Sequence, residues 1–294
     1  MPLSVLVVGC GFIGLPLARR FAESGCHVSA LTLSDVSAIE LNREAFPVLA
    51  VDIRARENLL KMPKRAFDIV IHTASSGRGG ADAYQQVFYG GIINLRSTLD
   101  FGHLIFTSST SVYAQMDGSL VDEGSFTDPR NETGRILLRA EKAVLDSAGT
   151  VARMAGLYGP GRCVPLQRLR AGKALLDGAG ERIMNMLYQS DAVSGLLLLA
   201  EKRCSGIFNL VDDEPVSQLE WFQYVCSELG LPLPPVGVRD LNRKRGWSSK
   251  RVSNGKLRAL GWRPGITNFR VGIRDILDHE SKEAAKGSLP LGGV

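Results

Sequence analysis

Gly9, Gly11 and Gly14, in the run Gly9-Cys10-Gly11-Phe12-Ile13-Gly14, are the first residues of this 294-residue chain whose spacing carries chemistry. The run fits G-x-G-x-x-G and lies between an apolar stretch and a helical pattern, the context in which such a loop cradles a pyrophosphate. The first glycine permits a tight turn, the second lets backbone approach phosphate, and the third lets helix pack on strand. The helix N-terminus adds free N–H groups and a partial positive charge. Gly9, Gly11, Phe12, Ile13 and Gly14 are therefore the expected cofactor-binding loop. Asp52 and Ile53, at the end of a third strand, sit where an adenine amino group would be met, although Asp52 suits a helix cap equally. Thr73 and Ala74, after a fourth strand, are small enough for the cofactor to cross, and His72 before them reads as a packed histidine. The second strand ends in Leu31-Thr32-Leu33-Ser34 with neither an acid for the ribose nor an arginine for a 2′-phosphate. Asp35 comes late and reads as an N-cap, so NAD and NADP both stay open.

These residues need a scaffold. Residues 3–8, 27–33, 47–51, 67–72 and 103–108 are short apolar runs separated by helical patterns. Such runs suit strands buried on both faces, and their alternation with helices predicts an α/β, Rossmann-type doubly wound parallel sheet. A loop at 118–131 leads to a helix marked by Ile136, Leu137, Ala140, Val144 and Leu145, then a strand at 150–155. Past Gly156 the rhythm breaks. A short strand near 182–187, a helix opening at Asp191 as its N-cap, a strand at 206–211 and a helix at 218–229 predict a smaller C-terminal substrate lobe. The expected division is 1–160 for the dinucleotide-binding domain, 161–280 for the lobe with returns to the sheet, and 281–294 for a loose tail.

Composition excludes several classes. With 45% hydrophobic and 22% charged residues the chain reads as soluble and globular. The formal charge of +5 resides in 239–251, where Arg239, Arg243, Lys244, Arg245, Lys250 and Arg251 face only Asp240. A uniformly basic nucleic-acid coat is excluded, and the open question is whether these side chains turn to the cleft or to water. No run approaches the roughly 18–20 apolar residues of a membrane span. The N-terminus lacks a positively charged lead-in, so no membrane partner is expected. Five cysteines without paired spacing suggest reduced thiols and a cytoplasmic location, and the four histidines share no metal-ligand spacing.

Several segments together resemble the extended short-chain dehydrogenase/reductase superfamily, also called the NAD-dependent epimerase/dehydratase family, over residues 3–280. They are GCGFIG, VDI at 51–53, IHTAS at 71–75, FTSSTSVYA at 106–114, RMAGLYGPGR at 153–162 and NLVDDEPVS at 209–217. The glycine spacing points to an atypical branch. The resemblance implies an NAD(P)-dependent oxidoreductase or epimerase/dehydratase-like enzyme acting on a small sugar-like or nucleotide-linked substrate. It also implies a Ser, a Tyr and a Lys four residues after the Tyr. Ser109 matches the Ser, as a hydrogen-bond donor to substrate. TGRILLRAE at 133–141 aligns with YGxSKxxxE, so Thr133 replaces the Tyr and Leu137 the Lys. A threonine hydroxyl does not ionise near neutral pH and leucine supplies no charge, so the usual relay is missing.

Three readings stay open. Another group supplies the proton, with Tyr113 and Tyr158 as the candidates and Thr133 as a mere positional substitute. Alternatively, the chain is a non-catalytic NAD(P)-binding sensor or scaffold, or hydride moves without an enzyme-supplied proton. Arg153 and Arg162 flank the loop that in the family borders substrate, and are expected either to hold an anionic group or to be plain surface charge. Many relatives dimerise through the helices near 80–100 and 132–147, which leaves a homodimer open here.

Overall fold

In β1 (Ser4–Val8), Val5 and Val7 point into one core while Leu6 and Val8 point into another, and all four are buried. A strand covered on both faces belongs in the middle of a parallel sheet with helices on either side. The computed structural model describes residues 2–77, 79–238 and 248–287. It contains that sheet. To β1 are added β2 (His27–Thr32), β3 (Val48–Ala50), β4 (Ala66–His72), β5 (Asp100–Ser109), β6 (Thr150–Met154) and β7 (Gly206–Leu210). All pair in parallel, in the order β7-β6-β5-β4-β1-β2-β3. The order reverses between β1 and β4, and a ligand crevice forms at the strand C-termini there.

On one face pack α1 (Gly14–Glu23) and a long helix opening at Gln189, through Leu17, Phe21, Leu196 and Leu199. The other face is covered by α2 and α3. Helix α2 runs over 81–98 as Ala81–Tyr84, a π-helical stretch Gln85–Gly90, and Gly91–Thr98. Helix α3 is Glu132–Leu145, and α4 is the helix Gln189–Lys202. The lobe has its own core of Tyr158, Leu166, Trp221, Phe222, Phe269 and Ile273, built from α5 (Gln218–Leu229) and α6 (Phe269–Gly287).

Three local expectations are corrected. Ser34 caps the helix Asp35–Glu40, accepting from the Ser37 amide at 3.3 Å, while Asp35 stands one position inside. Asp191 is likewise inside α4; its buried carboxylate accepts from the amides of Gly265 (2.7 Å) and Ile266 (3.0 Å) and pins the approach to α6. Residues 281–287, read as loose, continue α6, and 288–294 lie outside the described residues. No helix among the described residues is long and apolar enough to cross a membrane.

Asp212, just past β7, is buried, and neither carboxylate oxygen has a well-formed hydrogen bond; the Glu214 amide offers a partial one. Burial, reinforced by Asp213, Glu214 and Asp191, pushes its pKa up to about 8. Between its unfolded value of about 4 and this raised value, the folded chain keeps a proton that the unfolded chain releases. Stability therefore falls as pH rises through that window. Urea melts from weakly acidic to weakly alkaline pH should show Asp212→Asn losing less stability than the wild type; identical slopes would assign the effect to another group.

Candidate functional site

The site begins where two strand ends almost touch. Gly9 has φ +101°, and a Cβ there would lie 2.5 Å from the Ala74 backbone. A Cβ at Gly14 would lie 1.9 Å from the Gly9 carbonyl and 2.6 Å from Thr73 Oγ1. The Thr73 hydroxyl lies within donating distance of the carbonyls of Val8 (3.1 Å) and Gly9 (2.8 Å), tying the end of β4 to the loop. Gly11 differs, because a Cβ there would meet no atom within 4 Å. That open side lets the backbone approach a phosphate. Ile13 is buried under the loop, and the Phe12 carbonyl accepts from Gln189 Nε2 of α4 at 2.6 Å.

Two adjoining clefts open from this loop. The smaller, about 210 Å³, includes Leu33, Asp52, Ile53, Arg54 and Ser75. Asp52 stands at the expected end. Its carboxylate, however, already accepts from Arg54 Nε (2.8 Å) and Nη2 (2.7 Å), and that guanidinium holds it below the usual carboxylate range. Arg54 is a site residue the sequence reading missed. The buried Ile53 offers its carbonyl to Asn94 Nδ2 at 2.8 Å.

The larger cleft, about 470 Å³, runs from the glycine loop past Thr73 and Ala74 to Ser109. Its hydroxyls are not equivalent. Thr107 donates to the His72 carbonyl (3.0 Å), and Ser108 to the buried Glu141 (2.5 Å). Ser109 accepts from the Ser111 amide (3.2 Å), and its hydroxyl donates to none of the described residues, so it retains donor capacity toward a ligand. Leu137 lines the cleft with hydrocarbon, whereas Thr133, though buried, is not among the lining residues. Tyr84 and Phe88 of α2 also enter the lining.

The structure does not bring the other proposed donors to this cleft. Tyr113 is fully buried, donates to Asn209 Oδ1 (2.9 Å), and burial raises its pKa. The Tyr158 hydroxyl is enclosed beside Gly272, where a Cβ would come within 2.3 Å of it, and burial pushes its pKa up as well. Arg153 is corrected more sharply. It is 3% exposed, forms a bidentate pair with Glu141 (2.6 and 3.0 Å) and lies over the Tyr113 ring, so it is neither a substrate ligand nor surface charge. Arg162 does reach the larger cleft, with its guanidinium 4.9 Å from the Phe12 ring centroid. His72 is packed as expected: Nε2 lies 3.0 Å from the Val87 carbonyl and is therefore the protonated nitrogen, and burial lowers its pKa to about 4.

Of the basic segment, residues 239–247 lie outside the described residues. Lys250 turns inward, buried, and donates to the Tyr113 carbonyl (2.8 Å) and Ser248 Oγ (2.7 Å); desolvation and Arg182 lower its pKa to about 8. Arg251 faces water and donates to the Gly118 carbonyl. Among the described residues, no cluster of three metal-ligating side chains occurs.

The glycine loop separates folding from binding. Gly9→Ala is expected to destabilise the chain by about 2 kcal/mol or more through the clash and the left-handed φ. Gly11→Ala should leave urea stability within about 0.5 kcal/mol while weakening dinucleotide binding at least about tenfold. Equal losses of stability in both variants would contradict this assignment.

A family model described as "NAD dependent epimerase/dehydratase family" matches residues 5–210. A search of curated protein sequences finds no significant match. Solved structures of the same fold include the UDP-glucose 4-epimerase of Thermotoga maritima with UDP-glucose, at 20% identity and TM-score 0.80, covering 95% of this chain and 99% of that one. Another is the UDP-glucose-4-epimerase of Stenotrophomonas maltophila with NAD and formylated UDP-arabinopyranose, at 20% identity and TM-score 0.79, covering 97% and 99%. A third is MoeE5 with UDP-glucose and NAD, at 22% identity and TM-score 0.76, covering 96% and 99%.

Proposed function

Because the chain belongs to the NAD dependent epimerase/dehydratase family, we propose that it is an NAD-binding enzyme that carries out oxidoreductase-type chemistry on a nucleotide-linked or sugar-like substrate. The observation that carries this reading is the glycine loop at the sheet's reversal, with open space at Gly11 and a cleft continuing to Ser109. Gly9, Gly11, Phe12, Ile13 and Gly14 would hold the pyrophosphate. Asp52, Ile53 and Arg54 would border the adenine, and Thr73 and Ala74 the crossing. NAD, when bound, supplies a reversible hydride acceptor.

The chain's own residues do the rest. Ser109 keeps a proton with which to hydrogen-bond a substrate oxygen, and Arg162 at the cleft wall offers a charge to a substrate phosphate. Relatives of the same fold were solved with UDP-sugars, which supports a nucleotide-linked substrate class. The second reading is a non-catalytic NAD-binding sensor. It is favoured by one observation: Leu137 lines the cleft where the family pattern has a lysine.

Titration of the purified protein with NADH and NADPH by fluorescence, followed by assays against UDP-sugars, tests both readings. Saturable binding with preference for NADH, and turnover of at least one nucleotide sugar, is the expected result. Absence of any dinucleotide binding would overturn the reading. Tight binding without turnover across the panel would favour the sensor.

A further inference from the structure

One tyrosine, itself 3% exposed, lines the larger cleft from a helix that the sequence pattern did not assign to chemistry. Tyr84 ends the first α-helical turn of α2, immediately before the π-helical stretch Gln85–Gly90. π-Helical insertions recur at functional sites, and one extra residue in a turn rotates the side chains before it by about 100° relative to those after it. Tyr84 and Phe88 both line the cleft, beside Ser109, Leu137 and Met154. Their rings meet edge to face, with centroids 4.8 Å apart and planes at 85°. Phe88 in turn leans on Phe106 (5.9 Å) and His72 (6.2 Å), so an aromatic stack anchored in β4 and β5 fixes the Tyr84 ring.

Tyr113, Tyr158 and Tyr188, the other phenols near this end of the sheet, do not line this cleft. Among the described residues that line the larger cleft, Tyr84 is the sole tyrosine. The residues opposite it are those whose usual chemistry is missing: helix α3 carries Thr133 and Leu137, and it packs against the first turn of α2.

We propose that Tyr84 is the proton-transfer residue of this cleft, in place of the phenol absent from residue 133. This rests on the dinucleotide-dependent reading given above. When a substrate carbinol is oxidised, its O–H bond breaks and the proton passes to the Tyr84 phenolate oxygen. The C–H electron pair leaves as hydride to the dinucleotide, and the carbonyl forms. Reduction reverses both transfers, with Tyr84 Oη returning the proton and Ser109 hydrogen-bonding the same substrate oxygen.

Tyr84→Phe keeps the ring and its stack, and a thermal melt checks that the variant folds. NADH affinity by fluorescence is expected to stay within about twofold of the wild type, because Tyr84 stands on α2 and not in the glycine loop. The ultraviolet difference spectrum of tyrosine on adding NAD is expected to be present in the wild type and missing in Tyr84→Phe. The kcat for a UDP-sugar should fall about 10²–10⁴-fold, with KM changed far less. A difference spectrum that persists in Tyr84→Phe, or unchanged turnover, overturns the role of Tyr84 while leaving dinucleotide binding intact. Failure of the wild type itself to bind NADH overturns both this proposal and the function on which it rests.

Discussion

The backbones of Gly9 and Ala74 lie so close that no side chain fits between them, and the site is arranged around that contact. It joins the ends of β1 and β4, the two strands at which the sheet reverses its order. Thr73 fastens the contact with one hydroxyl held by two carbonyls. With the strand ends held together, the third glycine seats α1 against the loop and the second is left facing open space. The clefts on either side share Gly9, Thr32, Leu33, Ala74 and Ser75 as common wall. The small residues after β4 leave room above that contact for a dinucleotide to cross from one cleft to the other.

Much of this arrangement was legible because local and long-range requirements agree. Strands buried on both faces must be apolar throughout, so six of the sheet's seven runs appear in the sequence within a residue of their observed ends. Strand β5 is the exception, beginning three residues early at Asp100, where the exposed Asp100 and Gly102 flank Phe101 and break the apolar run. The glycine loop was legible because its three positions have three different steric reasons. Asp191 was misread because a carboxylate near a helix start looks like a cap whether its partners are the helix amides or those of Gly265 and Ile266, far along the chain. The Tyr-xxx-Lys pattern falls on α3 and gives no reason to single out Tyr84 on α2. The available signal was an aromatic pair, Tyr84 and Phe88, four residues apart on the helix that follows the β4 crossing. Arg153 was readable in principle: an arginine within the buried run TVARM needs a partner, and Glu141 lies one helix earlier.

Charge tells a similar story at larger scale. The excess positive charge lies in one segment of the sequence, yet Lys250 near its end is buried against the body of the protein while Arg251 beside it is solvated. Residues 248–252 are stitched to both sides: Ser249 Oγ accepts from the Ile183 amide, Asn185 bonds the Lys250 carbonyl and the Val252 amide, and Arg251–Val252 pairs with Leu120–Val121. This strip couples the lobe to the loop after β5, immediately beyond Ser109. Sequence proximity of charges therefore says little about which share an environment.

The buried pair of Glu141 and Arg153 has a bearing on how such a site can diverge. Glu141 lies one turn beyond Leu137 and two beyond Thr133 on α3, and it is clamped by Arg153 from β6 and Ser108 from β5. The rotation and depth of the helix are thus set from its middle by a charge pair, independently of what stands at 133 and 137. A lineage can exchange the side chains of its proton relay while the frame that aimed them stays in register. Loss of the relay and survival of the fold are separate events, and a neighbouring helix has the opportunity to take over the task before the pocket decays.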